Sequence, residues 1–100
     1  MMMTTISNDI PSSPTGLYVD NITSTSYSLH WDTPKDYVYG SQFIVYSAGK
    51  ELFPLPKNAA PSVNLVNQKP ATTFTIHVTQ KNPAGVESSP SNTITFKTLA

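Results

Sequence analysis

The sequence contains no cysteine and no arginine, and only 12% of its 100 residues are charged. Without cysteine, neither a disulfide framework nor a thiolate metal site can form. Six lysines balance six acidic residues, so the chain carries no net charge. A neutral chain without arginine lacks the basic patch that binds a nucleic-acid backbone or an anionic membrane surface. We therefore expect neither nucleic acid nor membrane among its partners.

Long apolar runs are also absent. No stretch reaches the ~20 consecutive apolar residues of a membrane-spanning helix. The N-terminal stretch MMMTTISNDIPSSP has neither a basic start nor an apolar run of signal-peptide length. If the chain is complete, we expect no signal-directed secretion. Residues 1–13 are polar and without periodicity, which predicts a flexible N-terminal arm followed by a folded domain over residues 14–100.

Short alternating segments make up the rest of the chain. Nine prolines are spread along it, which leaves little room for an uninterrupted helix. Between them, apolar and polar residues alternate with the period of two that is typical of strands with one buried face. This pattern predicts an all-β fold, a two-sheet antiparallel sandwich. The predicted strands are GLYVDNI (16–22), SYSLHW (26–31), SQFIVYS (41–47), a short extra strand at ELF (51–53), SVNLV (62–66), FTIHVT (74–79) and NTITFKT (92–98).

Three segments of the sequence are similar to one known family. SPTGLYVDNITSTSYSLHW (13–31) looks like the first two strands of the fibronectin type III family, and FIVYSAGKEL (43–52) is similar to its third strand and following turn. KPATTFTIHVTQKNPAGVESSPSNTITFKT (69–98) resembles its last two strands with their connecting loop. The resemblance covers roughly residues 11–99. It implies an immunoglobulin-like, two-sheet antiparallel sandwich of about seven strands.

The chain departs from the family's pattern at two positions near Pro70. The family usually has a tyrosine at the position of Phe74, and its hydroxyl bonds to backbone a few residues upstream. Phe74 keeps the ring but loses that bond, which costs on the order of 1 kcal/mol. Gln68 stands where the family generally has leucine, and a polar residue there either turns outward or needs a buried partner. Together the two changes predict a looser corner.

The two histidines are the first candidates for chemistry. Strand alternation places His30 and His77 on outer faces, each between two inward-facing apolar residues. In a fibronectin type III arrangement their strands belong to opposite sheets, so the two imidazoles cannot share a metal or a proton. Solvated histidines are the favoured interpretation.

Two carboxylates, Asp32 and Asp36, flank Pro34 in one loop. They could bind calcium, but this ion prefers more oxygen ligands at closer spacing, so solvated turn residues are the favoured interpretation. The sequence contains no glycine-rich phosphate loop, no zinc-protease motif and no nucleophile elbow. We therefore expect no cofactor, no metal site and no enzymatic activity.

Candidate partner-binding residues lie first in the loop DTPKDYVYG (32–40), which displays Tyr37 and Tyr39. Tyrosine gives a large contact area at low entropic cost, so it is common on recognition surfaces. The alternative is that one of these tyrosines packs over the open end of the core while the other is simply exposed. The loop QKNPAGVESSP (80–90) is expected at the same pole, as a tight structural return.

The second candidate is an apolar strip, Phe53 and Leu55, in the segment KELFPLPKNAAP (50–61). We expect this segment near the opposite pole. Pro54 and Pro56 interrupt the strip and prevent a full ladder of hydrogen bonds. The strip either protects an edge strand from aggregation or contacts a larger partner.

These features predict a non-catalytic structural or adhesion subunit. The chain looks like the small sandwich domains that decorate bacteriophage heads and tails. The expected location is therefore the virion surface, with capsid or tail proteins, the chain itself or host-surface polysaccharide as partners. The alternative is an extracellular spacer or carbohydrate-associated binding module of a multidomain protein or enzyme. A third class, an enzyme, would need a cluster of reactive groups that the strand alternation does not offer.

Overall fold

The computed structural model of the chain describes residues 10–100. Over this range it contains seven strands and no helix, which confirms the predicted all-β sandwich. The strands are β1 (Thr15–Asp20), β2 (Tyr27–Asp32), β3 (Gln42–Ser47), β4 (Lys50–Pro54), β5 (Ser62–Leu65), β6 (Thr73–Lys81) and β7 (Ile94–Lys97).

The strands form two antiparallel sheets around one core. A three-stranded sheet has the order β1-β2-β5, and a four-stranded sheet has the order β4-β3-β6-β7. β3 pairs with β6 along its whole length. The tight turn between β3 and β4 uses left-handed backbone at Ala48 (φ 51°) and Gly49 (φ 80°), the geometry that fits the twist of an antiparallel hairpin.

Inward-facing side chains of both sheets fill the core, as the alternation predicts. Aromatic rings gather at both ends of it. At one end Trp31 and Tyr37 both contact Phe43, with centroid separations of 5.2 and 4.6 Å. At the other end Tyr27 lies 5.2 Å from Phe74. The buried apolar cluster consists of Leu17, Tyr27, Leu29, Trp31, Phe43, Val45, Leu55, Leu65, Ile76 and Val78.

The corner near Pro70 has a hydroxyl bond of its own. Phe74 has no hydroxyl, but the ring beside it belongs to Tyr27, whose Oη donates to Gln68 Oε1 at 3.2 Å. Gln68 Nε2 in turn donates to the Val66 carbonyl at 3.0 Å. Burial raises the pKa of Tyr27 to about 12. A tyrosine from β2 therefore supplies a hydroxyl bond at this corner, to the side chain of Gln68 instead of to backbone, and gives Gln68 a partner within the domain.

The first described residues pack against the domain. Pro11 is buried. Ser12 N donates to Asp36 Oδ2 at 2.9 Å, and the Ser12 carbonyl accepts a 2.9 Å bond from the buried side chain of Gln80. These contacts hold Pro11 and Ser12, two residues of the predicted arm, against the domain. The remainder of the predicted arm, residues 1–9, lies outside the described residues.

Candidate functional site

Three connections between strands meet at one end of the sandwich, which we call the loop pole. Gly40 N donates to Asn58 Oδ1 at 2.6 Å, which joins two of them. A Cβ added to Gly40 would lie 3.3 Å from Cγ of Pro83, so the third connection lies directly beside the first. This proximity confirms that the loops DTPKDYVYG (32–40) and QKNPAGVESSP (80–90) share a pole. The three connections of the loop pole are residues 33–41, 55–61 and 82–86.

The segment 50–61 does not stay near the opposite pole, where its sequence predicts it. β4 starts there, after the turn at Gly49, but it runs antiparallel to β3 and carries the chain back to the loop pole. Asn58 N donates to the Ser41 carbonyl at 2.9 Å, which places the end of the segment beside the tyrosine-bearing loop. Only the first residues of the segment therefore match the prediction.

Tyr37 closes the core at the loop pole. Its ring stacks on Phe43 with an interplanar angle of 16°. Its hydroxyl donates to the carbonyls of Ser41 and Ala59, each at 3.2 Å. Burial raises the pKa of Tyr37 above its ordinary value. Tyr37 therefore holds two loops together over the core. This agrees with the alternative interpretation of the sequence, in which one of the two tyrosines packs over the open end of the core.

Tyr39 points away from the same loop, with 89% of its surface exposed. The turn that carries it is held by three bonds: Ser41 N donates to the Val38 carbonyl at 2.9 Å, Val38 N donates to Ser41 Oγ at 3.1 Å, and Tyr37 N donates to the Pro34 carbonyl at 3.1 Å. Val38, beside it, is 54% exposed. An exposed aromatic ring thus projects from an ordered backbone.

The apolar strip of Phe53 and Leu55, at the end of β4 and just beyond it, divides between surface and core. Leu55 is only 2% exposed, and its N donates to the Phe43 carbonyl at 2.9 Å. Leu55 is therefore a core residue, and its side chain does not lie on a contact surface. Phe53, opposite Val45 on the edge strand, is 39% exposed. Of the two candidates in this strip, only Phe53 is accessible to a partner.

The return from β6 to β7 is a tight turn, as the sequence predicts. Asn82 N donates to the Val86 carbonyl, and Gly85 N donates to the Asn82 carbonyl, both at 2.9 Å. Beyond the turn, the Glu87 carboxylate accepts hydrogen bonds from the hydroxyls of Tyr46 and Thr79. The hydrogen bond that Tyr46 donates to Glu87, together with partial burial, raises the pKa of Tyr46 to about 12. These bonds fix the return on the outer face of the four-stranded sheet.

The two histidines lie on different sheets, which confirms their predicted separation. His30 stacks on Tyr18 at 4.9 Å, and its Nε2 donates to Asp20 Oδ1 at 2.8 Å. His77 stacks on Tyr46 at 4.8 Å, and partial burial lowers the pKa of this imidazole. Each ring thus stacks on a tyrosine of its own sheet.

The two loop carboxylates have separate surroundings. Asp36 is more than a solvated turn residue, because it accepts hydrogen bonds from Gln80 Nε2 at 3.0 Å and from Ser12 N at 2.9 Å. The bond from Gln80 is the main cause of the lowered pKa of Asp36. Asp32 lies over Gly16, where an added Cβ would be 2.7 Å from Oδ2. Among residues 10–100, no group of three or more His, Cys, Asp or Glu is placed to hold a metal ion.

The sequence reasoning missed one group of surface residues, on the outer face of the three-stranded sheet. His30 contacts both Tyr18 and Asp20 there, and Ser28 Oγ donates to Asn64 Oδ1 at 2.6 Å. Strand alternation already places these side chains outward. Their contacts depend on the pairing register of three strands, which the alternation alone does not give.

The fold is an immunoglobulin-like antiparallel sandwich. A family model, "Fibronectin type III domain", matches residues 12–97, and the chain belongs to that family. Domains of this family often serve as spacers or binding modules in multidomain proteins and are typically non-catalytic. Within residues 10–100, no helix has the length and apolarity to cross a membrane.

Solved structures share this fold at low sequence identity. A chitinase, ChiA74 from Bacillus thuringiensis, matches with a TM-score of 0.79 and 22% identity, over 97% of this chain and 15% of its own. A family 28 exopolygalacturonase from Yersinia enterocolitica matches with a TM-score of 0.77 and 22% identity, over 89% of this chain and 20% of its own. The fibronectin type III domain of human fibronectin type III domain containing protein 3 matches with a TM-score of 0.73 and 22% identity, over 92% of this chain and 89% of its own. This chain thus spans a fifth or less of the two enzymes, and no curated protein matches it.

Proposed function

We propose that the chain is a non-catalytic structural or adhesion module that contacts a protein partner through the loop pole. The observation that carries this proposal is Tyr39, 89% exposed on a turn whose backbone is hydrogen-bonded. A large ring on an ordered backbone loses little conformational entropy when a partner covers it. Val38 extends the apolar contact area, while Tyr37 acts from beneath by holding the loop on Phe43.

The first setting for such a module is the surface of a bacteriophage virion, with capsid or tail proteins as partners. This setting rests on the likeness to the small sandwich domains of virion surfaces. The surface chemistry agrees with it, because Val38, Tyr39 and Phe53 are uncharged and suit a contact from which water is excluded.

The second setting is an extracellular multidomain protein, in which the chain is a spacer or carbohydrate-associated module. The likeness to a chitinase and an exopolygalacturonase supports it, since the matching part is 15% and 20% of those chains. In this setting the loop pole would contact a neighbouring domain of the same protein.

Density-gradient fractionation of a lysate that contains intact particles separates the two settings. In the first setting the wild-type chain is expected to sediment with the particles, and Tyr39→Ala is expected to remain in the free fraction. Val66→Ala is the matched control, because Val66 is an apolar residue 58% exposed and outside the three connections of the loop pole. A wild-type chain found only as free monomer beside intact particles would contradict the virion setting.

A further inference from the structure

The outer face of the three-stranded sheet carries an ordered polar and aromatic surface, which we call the grid face. Its residues lie in two rows across three paired strands. The register of β1 with β2 and of β2 with β5 defines both rows. The first row is Tyr18, His30 and Ser62, and the second row is Asp20, Ser28 and Asn64.

Contacts within the grid face hold its side chains in place. His30 links the two rows, because its ring stacks on Tyr18 with an interplanar angle of 22° and its Nε2 donates to Asp20 Oδ1. In the second row, Ser28 Oγ donates to Asn64 Oδ1 at 2.6 Å. Side chains that are already ordered lose less entropy on binding than free ones.

Two groups of the grid face remain open to a ligand. Tyr18 is 54% exposed; His30 covers one face of its ring, and β1 is an edge strand, so no further strand of the sheet covers the other. Asp20 uses Oδ1 for His30, and its side chain is 46% exposed. An accessible aromatic face therefore lies next to an accessible carboxylate.

The two sheets differ in charge. The strands of the grid face contain no lysine, arginine or glutamate, so the accessible carboxylate has no cation on its own sheet beyond the His30 contact. The four-stranded sheet carries Lys50, Lys81, Lys97 and Glu51 in its strands, and the Glu87 carboxylate on its outer face is already bonded to Tyr46 and Thr79. A cationic side chain is therefore attracted to the grid face and meets lysines on the opposite one.

We propose that the grid face binds a protein segment that presents an arginine side chain, stacked on Tyr18 and paired with Asp20. The guanidinium group is planar, stacks on aromatic rings and donates charge-assisted hydrogen bonds to a carboxylate, here to Asp20 Oδ2, the oxygen that His30 does not use. Lysine lacks the planar group, and a neutral polysaccharide lacks the charge. This contact lies on a flank of the sandwich and does not depend on the loop pole, so it is a second binding surface.

Titration of the ¹⁵N-labelled full chain with a hexa-arginine peptide tests the proposal. We expect shift changes concentrated on the amides of residues 18–20, 28–30 and 62–64. Tyr18→Ala and Asp20→Asn are each expected to weaken the affinity about two- to fivefold, the range for exposed cation–π contacts and ion pairs. Glu51→Gln removes the same charge from the other sheet and is expected to leave the affinity unchanged.

Three outcomes would overturn the proposal. Equal weakening by Glu51→Gln would show diffuse attraction between charges instead of a site. A hexa-lysine peptide that binds as tightly would rule out guanidinium stacking. Shift changes on these amides with chitohexaose but not with hexa-arginine would make the face a polysaccharide surface. Unchanged amide shifts in β3 and β6 of each variant establish that its fold is intact.

Discussion

We call the end of the sandwich opposite the loop pole the corner pole. Aromatic rings close the core at both poles, but an aromatic side chain of the connections projects into solvent at the loop pole. At the corner pole the connections bind back to the domain: Gln68 N donates to the Thr25 carbonyl at 2.8 Å, and Thr98 Oγ1 donates to the Lys69 carbonyl at 2.6 Å. At the loop pole the backbone is equally well bonded, yet Tyr39 projects into solvent.

The tyrosines of the two poles therefore have two different roles, one in the stability of the fold and one in the proposed binding. Tyr27 and Tyr37 are tyrosines whose rings pack and whose hydroxyls are bonded within the domain. Tyr39, two residues beyond Tyr37, has a free ring. We therefore expect substitutions at the corner pole to change the free energy of unfolding, and substitution of Tyr39 to change binding alone.

The largest expected effect is that of Phe74→Ala at the corner pole. The ring packs against Tyr27 and against Phe96, whose centroid is 5.9 Å away. Its removal should lower the free energy of unfolding by about 3 kcal/mol, at the lower end of the range for such truncations because Phe74 is only partly buried. Urea unfolding measures this loss. A change below about 1 kcal/mol would mean that the ring is dispensable to the corner.

Tyr37→Phe and Tyr39→Phe form a matched pair at the loop pole. Tyr37→Phe removes a hydroxyl that bonds two carbonyls and should cost about 1 to 2 kcal/mol in urea unfolding. Tyr39→Phe removes an exposed hydroxyl and should change the free energy of unfolding by less than about 0.5 kcal/mol. Equal effects of the two substitutions would remove the distinction between structural and displayed tyrosines.

A smaller effect is expected for Gln68→Leu, which restores the family's usual residue. The substitution leaves the buried Tyr27 hydroxyl without its partner and should cost about 1 kcal/mol. The double variant Tyr27→Phe/Gln68→Leu should come close to wild type, because both polar partners are replaced together. Additive losses in this double-mutant cycle would contradict the coupling of the two side chains.

The free energy of unfolding should not depend on the ionisation of Tyr27 at neutral pH, but it should fall as the pH rises above 10. Burial raises the pKa of Tyr27 from 10.0 to about 12, so the folded state holds the phenol proton more tightly than the unfolded chain. The stabilisation is complete below pH 10 and is lost as the pH rises from 10 towards 12. Unfolding free energies across this range should fall less steeply for Tyr27→Phe. An unchanged slope would place the alkaline sensitivity elsewhere, for example at Tyr46, whose pKa is also raised to about 12.

Much of the fold could be predicted from local sequence. The alternation in strands such as SYSLHW gives their inward and outward faces, since the side-chain period of a strand is two. The same alternation places His30 and His77 on outer faces, and the proline and glycine in NPAG (82–85) predict the tight return. These features depend only on neighbours along the chain.

Features that depend on distant contacts could not be predicted. The side chains of Gln68 and Tyr27 lie 41 positions apart in sequence, and their bond needs the fold to bring them together. The burial of Leu55 follows because β4 carries the chain back to the loop pole, whereas the sequence predicts segment 50–61 near the opposite pole. Gln80, fully buried at an inward position, holds the N-terminal segment at Ser12.

The most direct test of the proposed function is Tyr39→Ala measured in two ways, by urea unfolding and by attachment to the purified particle or neighbouring domain. We expect an unfolding midpoint equal to that of the wild type together with loss of attachment. Attachment that persists at wild-type level in a variant of unchanged stability would contradict the claim that the loop pole is the contact surface.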